Sequence, residues 1–137
     1  FTDCVKTLLG AGADAGKTRT DGRTALMIAA DKGFTDCVKT LLAAGADADK
    51  AERGGWTALM LAADKGFTDC VKALLDAGAD AEQAEEDGWT ALMLAAKNGS
   101  ADCVKTLLDA GADTDKTKRD GWTALMFAAQ NGSADCV

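Results

Sequence analysis

The 137-residue chain has no histidine and no tyrosine, and aromatic residues make up only 5% of it. Without histidine it lacks the commonest metal ligand and the side chain best suited to acid–base work near neutral pH. Its carboxylates recur at helix starts, turns and loops, whereas an active site is normally single. No enzyme activity is expected, and no cofactor, metal or small-molecule substrate. Positive charge is also scarce: 15 Lys and Arg against 22 Asp and Glu leave a formal net charge of -7. Nucleic acid needs a clustered basic face, so it is excluded as the main partner. The longest apolar runs, such as Ala58 to Ala63, cover six residues. A bilayer-spanning helix needs roughly 18 or more, so no membrane insertion is expected. The chain opens on Phe1 without a charged-then-apolar leader and reads as an excerpt of something longer.

What the chain does have is a period. Its five cysteines stand at 4, 37, 70, 103 and 136, each 33 residues from the next. The same interval separates Gly33, Gly66, Gly99 and Gly132, and Thr24, Thr57, Thr90 and Thr123. Between residues 22–54 and 55–87, 25 of 33 positions are identical. Internal repetition therefore organises the fold.

Each unit carries two short helical patterns. The first, Ala58 to Ala63 followed by Asp64-Lys65, uses good helix formers and follows Thr57, whose hydroxyl can cap the first turn. The second, Thr68 to Leu75, sets its apolar residues in one stripe, with Asp69 near the positive end of the helix dipole. Gly66 and Gly78 follow the two patterns, where a left-handed residue commonly ends a helix. The polar stretch "GADAEQAEEDG" ends in Asp-Gly, a turn signal. The predicted unit is helix, tight turn, helix, long turn-bearing loop. Neither helix is long enough to be stable alone.

The stretch "DGWTALMLAAKNGSADCVKTLLDAGADTD" (Asp87 to Asp115) resembles the ankyrin repeat, whose consensus carries a glycine, Thr-Pro-Leu-His, Ala-Ala, glycine, Val, Leu-Leu and Gly-Ala-Asp at these spacings. Two departures recur: Ala25, Ala58, Ala91 and Ala124 replace the family's proline, and Met27, Met60, Met93 and Met126 replace its histidine. Met substitutes an adaptable apolar side chain for a hydrogen-bonding one. The resemblance implies an all-α repeat, an α-solenoid of stacked helix pairs joined by β-hairpin-type loops. It predicts a single array over 1–137, with partial units at 1–21 and 121–137 and full units at 22–54, 55–87 and 88–120. Neither end carries a polar cap, so the array is expected to continue on both sides.

The cysteines fall on the apolar stripe of each second helix. Equivalent helices in stacked units lie roughly 8–10 Å apart, beyond the about 7 Å limit for a disulfide. Buried core thiols in a reducing, cytoplasmic compartment are the expectation.

The tryptophans carry the functional expectation. Trp56, Trp89 and Trp122, with Arg23 as their counterpart, precede the capping threonines. The resemblance implies that this position projects toward the concave binding side. Three indoles one stacking step apart would form a ladder, with Arg23 able to lie over an aromatic face at its end. Such a ladder either secures the stack internally or anchors a partner, since Trp and Arg dominate interface hot spots. Loop tips and helix ends vary while core letters stay fixed. Arg53, Glu86 and Arg119 at the tips, and Lys32, Lys65 and Lys97 at the first-helix ends, are therefore added to the candidate partner-binding set. The favoured function is a non-catalytic module binding another protein through its concave face and loop tips. The alternatives are a structural spacer or assembly subunit, and an engineered or consensus-derived array.

Overall fold

The computed structural model describes residues 2–132. Phe1, and residues 133–137 with Cys136 and the start of the second helix expected there, lie outside the described residues. Among the latter, eight helices follow one another: α1 (Thr2–Gly10), α2 (Ala25–Lys32), α3 (Thr35–Ala43), α4 (Ala58–Lys65), α5 (Thr68–Asp76), α6 (Ala91–Lys97), α7 (Ala101–Asp109) and α8 (Ala124–Gln130).

The local signals act as anticipated. Thr57 is extended and its Oγ1 accepts a hydrogen bond from the Met60 amide, starting α4, and Thr24, Thr90 and Thr123 do the same for α2, α6 and α8. Each such cap contributes about 1 kcal/mol. Gly66 ends α4 in the left-handed region at φ 74°, its amide reaching back to Ala62 and Ala63 carbonyls.

Two layers result. The inner helices α2, α4, α6 and α8 pack in series, as do the outer helices α1, α3, α5 and α7, and each outer helix from α3 onward also packs on the inner helix of its own unit. All six residues from Ala58 to Ala63 are buried. A helix covered on every side can be apolar all round, and its alanines let the neighbouring backbones close in. The Met side chains at 27, 60 and 93 are 1% exposed. No buried side-chain nitrogen or oxygen is left without a partner among the described residues, so an apolar side chain at this place strands no polar neighbour.

Cys37, Cys70 and Cys103 are buried and unpaired. Their thiols meet threonines of the preceding outer helix: Thr2 Oγ1 lies 3.7 Å from Cys37, Thr35 3.3 Å from Cys70, and Thr68 3.2 Å from Cys103. Burial pushes the Cys70 and Cys103 thiols above the ordinary 9.0, opposed in part by these hydroxyls. Cys4 departs from the expectation of a core thiol and is exposed. The reason follows from the same geometry: α1 is the first described helix, so no outer helix covers the side that carries Cys4.

Between units the chain forms narrow hairpins closed by isolated antiparallel bridges, Thr18 to Thr24, Ala51 to Thr57 and Ala84 to Thr90. Successive hairpins touch. The amides of Arg53, Glu86 and Arg119 donate to the carbonyls of Asp21, Gly54 and Asp87 in the hairpin before. Gly55 and Gly88, at φ 89° and 90°, make this approach possible, because a Cβ there would sit 3.0 Å from Glu85 Cα or 3.1 Å from Lys118 Cα. Farther back along the loops, Asp49 and Glu82 carboxylates accept from the amides of Asp80 and Asp113 one unit on.

Candidate functional site

The residue before each capping threonine stands where a hairpin returns to an inner helix. Its carbonyl accepts from the opposite hairpin arm, as in Glu52 N to Trp56 O at 2.9 Å and Glu85 N to Trp89 O at 3.0 Å. In those two hairpins the Glu carboxylate bonds back to amides of its own loop. Glu52 Oε1 accepts from Gly54 and Trp56, and Glu85 Oε1 from Asp87 and Trp89. Trp56, Trp89 and Trp122 are thereby held half-buried along the seam between hairpins and inner helices, with Arg23 at the same place one unit earlier.

What each side chain meets differs. Trp89 stacks on Phe127, centroids 4.5 Å apart at 23°, and Trp122 tilts against the same ring at 4.9 Å. The aromatic row is therefore bridged by a phenylalanine of α8, one unit beyond Trp89. Two cations lie over Trp89: Lys118 Nζ at 4.5 Å from the ring centroid and Lys97 Nζ at 5.1 Å. Lys118 also faces Phe127 at 5.9 Å and pairs with Asp120 at 3.4 Å, leaving its side chain only 16% exposed.

Arg23 does not cap an aromatic face, contrary to the sequence expectation. Its guanidinium pairs with Asp31 at 3.5 Å, and Lys65 of the next unit joins the same carboxylate at 3.3 Å. A charged partner eight residues along the same unit outcompetes a ring one unit away, because an ion pair with a carboxylate only 19% exposed is screened less than a surface contact. Around Trp56 the seam opens into a groove of about 500 Å³, lined by Arg23, Asp31, Glu52, Trp56, Asp64 and Lys65 among others.

Of the remaining candidates, Lys32, Lys65 and Lys97 are exposed at the ends of α2, α4 and α6, on the side that carries the groove for Lys65 and the Trp89 cluster for Lys97. Arg53, Glu86 and Arg119 are exposed at the hairpin tips, each tied by its backbone amide to the previous tip. The structure thus brings together Arg23, Trp56 and Lys65 in one place and Trp89, Trp122 and Lys97 in another. Asp31, Lys118 and Phe127 were missed as participants. Their signal lies in comparing positions 8, 29 and 38 residues after each Trp or its counterpart, spacings that only the stacking geometry reveals.

A family model for ankyrin repeats (3 copies) matches residues 1–85 and 78–137, and so takes in the whole chain. The chain belongs to the ankyrin repeat family. No curated relative matches it. Ankyrin repeats generally mediate protein–protein interaction and are typically non-catalytic. In this ankyrin array no helix among the described residues is long and apolar enough to cross a membrane.

Proposed function

We propose that this chain is a non-catalytic protein-binding module, a single ankyrin array with full units at 22–54, 55–87 and 88–120, whose hairpin-side seam grips another protein. The observation that carries this reading is the seam itself: indoles held half-buried by a hydrogen-bonded hairpin backbone, an open groove at Trp56, and exposed charged tips whose letters change from unit to unit over a largely constant core. Rigid, half-buried aromatics lose little entropy on binding and bring large apolar area to an interface. Trp56, Trp89, Trp122 and Arg23 form its centre, with Lys32, Lys65, Lys97, Arg53, Glu86 and Arg119 as a charged rim. Arg23, Trp89 and Trp122 contribute through the internal pairs they make as well as through their open edges. A reducing, cytoplasmic setting goes with this reading, supported by the unpaired buried thiols.

The test is affinity capture with two variant sets, scored by mass spectrometry. Alanine at Trp56, Trp89 and Trp122 should abolish capture of a protein partner. Alanine at Lys39, Lys72 and Lys105, exposed on the outer helices, should leave it intact. Circular dichroism on both sets separates lost binding from lost fold. The reading fails if the folded tryptophan set keeps the partner, whether or not the outer-helix set loses it.

A further inference from the structure

Trp56 and Trp89 are one unit apart, and the backbone around them is the same. The would-be Cβ of Gly55 sits 3.0 Å from Glu85 Cα, and that of Gly88 sits 3.1 Å from Lys118 Cα. The residue eight positions after each Trp ends or nearly ends the same unit's inner helix: Asp64 for Trp56 and Lys97 for Trp89. The residue 29 positions after lies on the next hairpin: Glu85 for Trp56 and Lys118 for Trp89. At Trp89 both positions are lysines, and both ammonium groups lie over the indole. At Trp56 both are carboxylates.

A carboxylate cannot take the lysine's place, because the face of an aromatic ring is the negative end of its quadrupole. Glu85 turns instead to amides of its own hairpin. The cations that do line the groove, Arg23 and Lys65, are both committed to Asp31. Asp64, and Glu52 with its Oε1 already accepting from the Gly54 and Trp56 amides and its Oε2 open, are left without a cation within ion-pairing distance among the described residues. The groove is thus bordered by an indole and two carboxylates, and lacks the positive group that its sister site carries in its own chain.

We propose that the groove at Trp56, flanked by Asp64 and Glu52, seats a lysine or arginine side chain from a basic segment of the partner protein. This rests on the protein-binding reading above and specifies its chemistry. The incoming cation does at Trp56 what Lys97 and Lys118 do at Trp89, with Asp64 and Glu52 adding charge-assisted hydrogen bonds. The net charge of -7 speeds the approach of a basic segment without choosing where it lands.

The experiment is fluorescence anisotropy on the whole chain with a fluorescein-labelled Gly-Lys octapeptide, and a Gly-Glu octapeptide for comparison. The lysine peptide should bind, more weakly as salt rises, and the glutamate peptide should not. Asp64→Lys installs the cation already tolerated at position 97, and should weaken binding about tenfold or more. Trp56→Ala should do the same, and Trp56→Leu serves if the alanine variant loses helicity. Asp76→Lys makes the same charge change on the exposed end of α5 and should leave affinity within about twofold, the size of a screened long-range charge effect. Equal losses in Asp64→Lys and Asp76→Lys, binding that ignores Trp56 and Asp64, or no binding of the lysine peptide would each overturn the proposal. If a protein partner is still captured through the other tryptophans, only this inference falls and the protein-binding reading stands. If capture ignores all three tryptophans, the broader reading falls as well.

Discussion

Trp56 and Trp89 occupy equivalent places on equivalent hairpins, yet one borders an open groove with acidic flanks and the other is closed by a phenylalanine and two lysines. The scaffold is common to both. The difference comes from three substitutions at fixed offsets: Asp64 against Lys97, Glu85 against Lys118, and Leu94 against Phe127. A repeat array can thus decide unit by unit whether an anchor is satisfied internally or left for a partner, with one core exchange, Leu94 against Phe127, and two charge exchanges at its edge. It also explains why near-identical units need not be interchangeable.

The largest expected effect separates the two rings. Trp89→Ala removes the stack on Phe127 and the seat of two lysines, and should cost about 3 kcal/mol of stability in urea unfolding. Trp56→Ala, with neither contact, should cost about half as much. Equal losses would mean that the open and closed sites are packed alike. Next in size is a check that the backbone really is shared: Gly55→Ala and Gly88→Ala should each cost about 2 kcal/mol, from left-handed strain together with the clash against the next hairpin. A clear inequality between them would locate the difference in the hairpins rather than the side chains.

A smaller effect is expected from exchanging charge. Asp64→Lys should stabilise by about 0.5 kcal/mol at low salt, and Lys97→Asp should destabilise by a similar amount, both shrinking as salt is added. Measured midpoints that move in the opposite sense would break the correspondence between positions 64 and 97. The subtlest test uses the thiols behind the two sites, which are matched where the rings are not. Burial raises the folded-state pKa of Cys70 and of Cys103 above 9.0. The neutral thiol is therefore favoured by folding, its contribution is complete below about pH 9, and it is lost as pH rises from there through the folded value. Unfolding free energy followed across that range should fall less steeply in Cys70→Ala and in Cys103→Ala, to a similar degree in each.

Much of the fold was legible because its determinants are local and repeated. Thr57 before an alanine-rich run, Gly66 after it, and the 33-residue spacing each carry their own physical reason, and each acts at the place the sequence marks. The site was legible only as a set of positions. That Trp56, Trp89 and Trp122 would share a seam follows from the period; what faces each ring does not, since Phe127 lies 38 residues from Trp89 and Lys118 lies 29. Arg23 read as a cap for an aromatic face, but the Asp31 carboxylate lies within 3.5 Å of its guanidinium and pairs with it instead. Cys4 read as one more core thiol because the repeat makes it look like Cys37, whereas burial depends on a neighbour that sequence equivalence does not supply.

The hydroxyl–thiol contacts across each interface give the stack a built-in clock. Because Cys37, Cys70 and Cys103 each sit against a threonine of the unit before, a sulfhydryl is uncovered only when its own interface parts. Timed alkylation followed by peptide mapping would therefore record the order in which the array frays, junction by junction, with Cys4 modified at once as the zero of the scale.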